Sequence, residues 1–167
     1  LRAFIFLPPP PGRNTAMTTD TQPLYDALLA GFNAAPFNAL IGLRIHSVDD
    51  ERCEARFTMR PDLVGNRVHN ILHGGVTSAV LDTIGGATAT VGAFRRMVDA
   101  DPAERLRRLG KLGTLDMRVD YLKPGRGEWF HVTGRVLRAG NKVMVTRMEM
   151  HNNDGELIAA ATATYLY

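Results

Sequence analysis

One cysteine, Cys53, is the only thiol in this 167-residue chain. No disulfide can close within it, and the cytoplasm, a reducing compartment, is the expected home. Ser78 is not set in a Gly-x-Ser-x-Gly elbow, so a serine-hydrolase triad is unsupported. His46, His69, His131 and His151 are scattered along the sequence, and with Cys53 they show no metal-ligand spacing. Neither a metal nor a redox cofactor is therefore expected. No long stripe of one charge is present either. The net charge of +3 is the small difference between 20 Lys+Arg and 17 Asp+Glu. The basic clusters at Arg95-Arg96, Arg105 to Lys111 and Lys123 to Arg126 suit solvated loops or a phosphate-bearing small ligand. A nucleic-acid duplex would ask for more.

The N-terminal run Leu1-Arg-Ala-Phe-Ile-Phe-Leu7 is too short for a signal-peptide core and leads into four prolines, Pro8 to Pro11. Met17 is the first methionine. Residues 1–20 are expected to be a disordered or non-native tail, with a single domain over 21–167. At 45% hydrophobic composition that domain has the material for a core.

What the chain does have is a long segment of nearly uninterrupted apolar and small residues. After His73-Gly74-Gly75, the stretch to Phe94 carries one ionisable side chain, Asp82. A helix apolar all round belongs in an interior. Its glycines, hydroxyl residues and central acid make it a poor membrane span despite its length, so no membrane is expected. Ser78, Gly85, Gly86 and Ala89 share helical spacing with Gly75 and Asp82 and would let neighbours approach the backbone closely. A buried carboxylate costs several kcal/mol unless partnered (~3–5 kcal/mol when a buried pair is broken). The glycine turn leaves helix N-terminal N–H groups open to a partly negative oxygen. An acid and an oxygen cradle in one element suggest carbonyl chemistry.

Around this helix the pattern alternates. Pro23 to Ala34 reads as an amphipathic helix ended by Pro36, and Leu43 to Met59 as a hairpin turning at Asp49-Asp50-Glu51. Pro61 to Asn70 reads as a loop, and Ala103 to Leu109 as a short charged helix. Four long strands follow over 114–123, 128–137, 142–152 and 157–167, separated by turn residues. The economical solution is an α+β fold in which a curved antiparallel sheet of about six strands wraps one long central helix. Gly75 and Asp82 share a helix face but lie roughly 10 Å apart along the axis. If both serve one reaction, the acid must come from a second copy packed antiparallel about a two-fold axis.

His73-Gly74-Gly75 with the acid nine residues after the histidine, in Leu81-Asp82-Thr83, resembles the hotdog-fold acyl-CoA thioesterases, nearest to their phenylacetic-acid-degradation (PaaI-type) branch. Asp120-Tyr121-Leu122-Lys123-Pro124 resembles a strand end of the same family. The resemblance covers roughly 37–167. It implies a hotdog fold, hydrolysis of an acyl-CoA to free acid and coenzyme A with no separate cofactor, and a homodimer or homotetramer with its active site at the subunit interface.

Carried over by position, Gly75 or Gly74 would polarise the thioester carbonyl. Asp82 would be nucleophile or general base, and His73 would orient the turn. The family's asparagine or glutamine six residues before the histidine is Arg67 here, so the adjacent Asn66 is expected to take that role. A threonine four residues after the acid is replaced by Gly86, and Thr83 points to another face. Arg95, Arg96, Lys123 and Arg126 are candidates for the coenzyme A phosphates, and Leu72, Val76, Leu81 and Ile84 for the acyl lining. Two rival readings remain. One is an enoyl- or hydroxyacyl-thioester hydratase on the same fold. The other is a non-catalytic acyl-CoA-binding module, which would not need Asp82.

Overall fold

The computed structural model describes residues 22–50 and 52–167; the expected tail over 1–20 lies outside them. Two helices open the chain, α1 (Gln22–Ala34) and α2 (Pro36–Ile41), followed by the hairpin of β1 (Arg44–Val48) and β2 (Arg52–Thr58). A 3-10 turn at Pro61–Leu63 leads into the short strands β3 (Val64–Asn66) and β4 (Ile71–Leu72). Then come α3 (Gly74–Arg96), α4 (Pro102–Leu109) and four strands, β5 (Gly113–Tyr121), β6 (Trp129–Ala139), β7 (Val143–Asn152) and β8 (Leu157–Leu166).

The six long strands form one sheet in the order β1-β2-β6-β7-β8-β5, antiparallel at every pairing. The α3 helix touches β2, β5, β6, β7 and β8, so the sheet curls around it in the expected hotdog arrangement. Strand alternation sets this up. In β7 every second residue, Met144, Thr146, Met148 and Met150, is fully buried, while Val145, Arg147 and Glu149 face outward. The inward residues meet Val80, Leu81, Ile84, Ala87 and Val91 of α3.

Glycines set how near the helix lies. A β-carbon on Gly134 of β6 would fall 2.3 Å from Thr88 Oγ1 and 2.8 Å from Ile84 Cγ2, and one on Gly92 of α3 would fall 2.9 Å from Val136. Glycine in a helix interior costs roughly 0.8–1 kcal/mol against alanine. Helix–sheet contact at this separation offsets it, because packing at interior density is lost when a gap opens.

Two local expectations are corrected. Pro36 does not simply end a helix; it occupies the first turn of α2, where its missing N–H and fixed φ are no handicap. That helix stops at Gly42, whose φ of 78° is the left-handed conformation that closes helix C-termini. The segment over 61–70 is not all loop, since β3 pairs with β4. Of the residues read as acyl lining or plain core, Leu81 and Ile84 are fully buried core, while Leu72 lines the cleft at the start of α3.

The burial of α3 is uneven. From Ile84 to Ala93 it is buried all round, whereas Ser78, Ala79, Asp82 and Thr83 in its first half are half-buried. Asp82 is thus not deep in a core as expected. It sits on a helix stripe that the sheet leaves uncovered. Beside it β5 ends the sheet, with Leu115 58% exposed.

The contact between Gly134 and α3 is directly testable. Gly134→Ala is expected to destabilise the protein by about 1–3 kcal/mol, because the branched Ile84 side chain and Ile84 carbonyl cannot both retreat. The midpoint of a urea unfolding curve, at unchanged slope, measures it.

Candidate active site

The start of α3 is assembled from three chain segments. β3 and β4 deliver the backbone to His73, whose N–H donates to the Leu63 carbonyl (2.9 Å). Gly65 of β3 lies flat on it: a β-carbon there would stand 2.7 Å from His73 Cα. From the far side, the Leu72 N–H donates to the Gly125 carbonyl (2.9 Å), tying in the turn after β5. At the end of β5, Tyr121 donates its hydroxyl to the Gly74 carbonyl (3.1 Å). A cleft of about 350 Å³ opens here, lined by Gly74, Thr77, Tyr121, Lys123 and Ile158 among others.

His73 is the N-cap of α3, and its Nδ1 accepts the Gly75 N–H at 2.8 Å. Accepting there requires a ring with a lone pair on Nδ1, hence a neutral imidazole with its proton on Nε2. This bears on the choice between Gly75 and Gly74. Gly75's amide is already used within the turn, whereas the Gly74 N–H has no hydrogen-bond partner among the described residues. Gly74 is exposed, at the positive end of a 23-residue helix. The donor facing the cleft is Gly74.

Asp82 lies eight residues further on, about 12 Å along the axis. Thr114 of β5 donates its hydroxyl to Asp82 Oδ1 at 2.9 Å, and Tyr165 of β8 donates to the same oxygen at 3.1 Å and to the Asp82 carbonyl at 3.0 Å. Burial, and next the adjacent Asp82 carboxylate, hold the Tyr165 hydroxyl well above the usual phenol range. It therefore stays a donor at any working pH. Among the described residues Asp82 makes no ion pair with Lys, Arg or His. The carboxylate is oriented by two hydroxyls, both on Oδ1, and the residue is half-buried. Gly85, one turn beyond, makes room for this arrangement, since a β-carbon there would fall 2.2 Å from the Tyr165 hydroxyl.

The remaining expected residues divide. Asn66 lies in β3, and its Oδ1 accepts the Val68 (3.1 Å) and His69 (3.3 Å) N–H groups, shaping the loop before α3. Thr83 bonds back to the Ala79 carbonyl (3.0 Å) and reaches Asn38 of α2 (3.5 Å). Lys123 lines the cleft and pairs with Glu156 (2.8 Å), and Arg126 is exposed on the adjoining turn. Arg95 and Arg96 are not brought to this cleft. They end α3, some 30 Å of helix from Gly74, where Arg95 pairs with Asp50 (3.2 Å) and Arg96 donates to Asn141 (3.0 Å). Sequence reasoning missed Thr114 and Tyr165, which come to Asp82 from strands far along the chain.

It also missed a grouping on the opposite face of the sheet. His46, Glu54 and His131, with no sequence spacing to link them, are neighbours across β1, β2 and β6, and their potential ligand atoms all lie within 4.8 Å of one another. The expectation that the histidines are merely scattered is corrected by the strand order, which no spacing along the chain records.

Comparison with known proteins fits this geometry. The Thioesterase superfamily profile matches residues 69–159, from just before His73 to the last strand. The Escherichia coli medium/long-chain acyl-CoA thioesterase YigI is 44% identical over 131 residues, 78% of this chain and 84% of that protein. A Shewanella oneidensis protein related to the thioesterase superfamily, known from its crystal structure, superposes with a TM-score of 0.83 at 46% identity, over 89% of this chain and 98% of that one. The Escherichia coli PaaI protein superposes with a TM-score of 0.66 over 85% of this chain and 91% of that one. At 16% identity, that likeness is one of fold. The chain belongs to the thioesterase superfamily.

Removing the phenol hydroxyl tests how Asp82 is held. Tyr165→Phe, nearly equal in volume, is expected to lower kcat for thioester hydrolysis by about 10–100-fold, since hydrogen bonds to charged groups contribute about 1.5–3 kcal/mol. KM should change little. Steady-state kinetics alongside thermal unfolding separates this from a general loss of structure.

Proposed function

We propose that residues 21–167 act as one domain that hydrolyses acyl-CoA thioesters at a site shared between two copies of the chain. The observation that carries this reading is the free Gly74 N–H at the cleft, together with Asp82 on an uncovered helix stripe about 12 Å away. That distance is too long for both to serve one carbonyl within a protomer, where reacting atoms approach to about 3 Å. Antiparallel packing of two α3 helices along their open stripes brings each Asp82 toward the other copy's Gly74. The same packing covers the half-exposed Ser78 and Ala79.

In the proposed reaction the thioester carbonyl oxygen accepts the Gly74 N–H. Asp82 takes a proton from water as the oxygen adds to the carbonyl carbon, or adds directly to form an anhydride that water then opens. The electron pair displaced onto the carbonyl oxygen is stabilised by the amide and the helix end. Collapse breaks the carbon–sulfur bond, and coenzyme A leaves as thiolate and takes up the proton. His73 holds the turn through its Nδ1, which accepts the Gly75 N–H. Lys123 and Arg126 flank the cleft where an anionic coenzyme A would lie, Asn66 shapes the loop beside it, and Thr83 borders the stripe next to Asp82. The name of the 44% identical YigI supports medium- to long-chain acyl groups. The hydratase reading needs a histidine free to act on the acyl carbons, which the capping role of His73 disfavours.

Thiol release from a panel of acyl-CoAs of increasing chain length tests the reading. Asp82→Asn is expected to reduce turnover by about 10²–10⁴-fold while leaving acyl-CoA binding measurable by calorimetry. Turnover at the wild-type rate in Asp82→Asn contradicts the proposed role of the acid. Saturable binding with no thiol release from the wild-type chain marks a binding module instead.

A further inference from the structure

On the outer face of the sheet, away from α3, three side chains converge that thioester hydrolysis does not use. His46 is the extra residue of a β-bulge: Ile45 pairs with Ala55 and Ser47 with Glu54, leaving His46 between them without a register partner. Bulges re-aim a side chain and recur where a site needs it. Here the bulge turns the His46 ring over β2 toward β6. It stacks on His131 with ring centroids 5.9 Å apart and planes within 9° of parallel. Strands β1 and β6 are separated by the whole width of β2, so rings in ordinary positions would stand well beyond that distance, at about 9.6 Å.

Glu54 of β2 lies beneath the pair, with Oε2 3.5 Å from His131 Nε2. Its other oxygen, Oε1, is held by Arg52 Nη1 at 3.3 Å. The carboxylate is thus oriented from behind and presents one oxygen to the histidines, as outer-shell partners orient metal ligands.

We propose that His46, Glu54 and His131 form a three-ligand site for a divalent transition-metal ion of the zinc class, joining β1, β2 and β6 on the outer face of the sheet. Two imidazoles and one carboxylate oxygen suit this class of ion, with a water completing a tetrahedron. Ligand atoms around zinc stand about 3.3 Å apart at bond lengths of about 2.0–2.1 Å. From separations of at most 4.8 Å, side-chain rotation alone closes the set.

Arg56 is the cross-strand partner of His131. The Arg56 guanidinium lies over the Trp129 ring at 4.1 Å, and Arg52 is engaged with Glu54. Arg44 faces Arg56 across the β1–β2 pair, and His151 faces His131 across the β6–β7 pair. The site is on the far side of the sheet from Asp82 and Gly74, so the ion is structural in this proposal and takes no part in hydrolysis.

The test uses the full chain freed of metal by chelator and dialysis, titrated with Co²⁺ and followed by its visible d–d absorption, with Zn²⁺ as competitor. One Co²⁺ per chain is expected to bind saturably and to be displaced by Zn²⁺. Glu54→Gln, His46→Ala and His131→Ala should each weaken binding by at least about 100-fold, more than the loss of an outer-shell partner causes. His69→Ala, in the exposed loop before β4, should leave it unchanged. Zn²⁺ should raise the Tm of the wild-type chain but not of His46→Ala. Because His46 is exposed, that variant retains the test even if His131→Ala does not fold. Binding should weaken on acidification, because protons compete with the metal for its ligands. Absence of saturable binding to the wild-type chain, or binding that survives His46→Ala together with Glu54→Gln, overturns the proposal.

Discussion

The close approach of α3 to the inner face of the sheet is the constraint from which the rest of the molecule follows. It is set by glycines on both sides, Gly85 and Gly92 on the helix and Gly134 on the strand, each of which leaves no room for a β-carbon. With the helix drawn in this far, Tyr165 on β8 reaches Asp82 with its hydroxyl, and Thr114 at the sheet edge reaches the same oxygen. A single sheet cannot close completely around a helix. One stripe of α3 stays open over its first half, and the acid lies on that stripe.

The beginning of the helix is fixed by a separate device. His73 caps α3 through the Gly75 amide, Gly65 packs against its backbone, and Tyr121 binds the Gly74 carbonyl. The Gly75, Val76 and Thr77 amides are bonded within the turn, whereas the Gly74 N–H has no partner among the described residues, and the cleft opens there. A helix terminus otherwise satisfied but with one outward amide is suited to a developing oxyanion, because the donor is fixed before charge develops and needs no reorganisation. The tethered acid and the free amide are both rigidly placed and far apart in one protomer, which is the physical basis for a shared site.

Much of this was legible in the sequence. The apolar run after His73 gave the central helix to within a residue or two at either end, and the alternation over 114–167 located all four long strands. Gly74, Asp82 and the spacing between them could be read because a helix converts residue number into distance. The same arithmetic sets Arg95 and Arg96 far from Gly74 of their own protomer, since twenty-odd residues of helix separate them. Other features were not legible because they are consequences of strand order. Tyr165 meets Asp82, and His46 meets His131, only once β8 and β6 take their places in the sheet. The half-buried state of Asp82 depends likewise on where the sheet stops. Pro36 misleads because proline both ends one helix and opens the next.

The shared site can be examined by subunit complementation. Proline at the first helical position removes the N–H with little disturbance to the helix, so Gly74→Pro deletes the proposed oxyanion donor and Asp82→Asn deletes the acid. Each variant alone should be nearly inactive. Unfolding the two together in equal amounts and refolding them forms mixed dimers in which one of two sites has both an intact Gly74 and an intact Asp82. Thiol release should then recover to about a quarter of the wild-type rate, the fraction expected for random pairing in a two-fold dimer. No recovery, with mixed dimers demonstrated in the sample, would mean that each site is built within one protomer and would contradict the account.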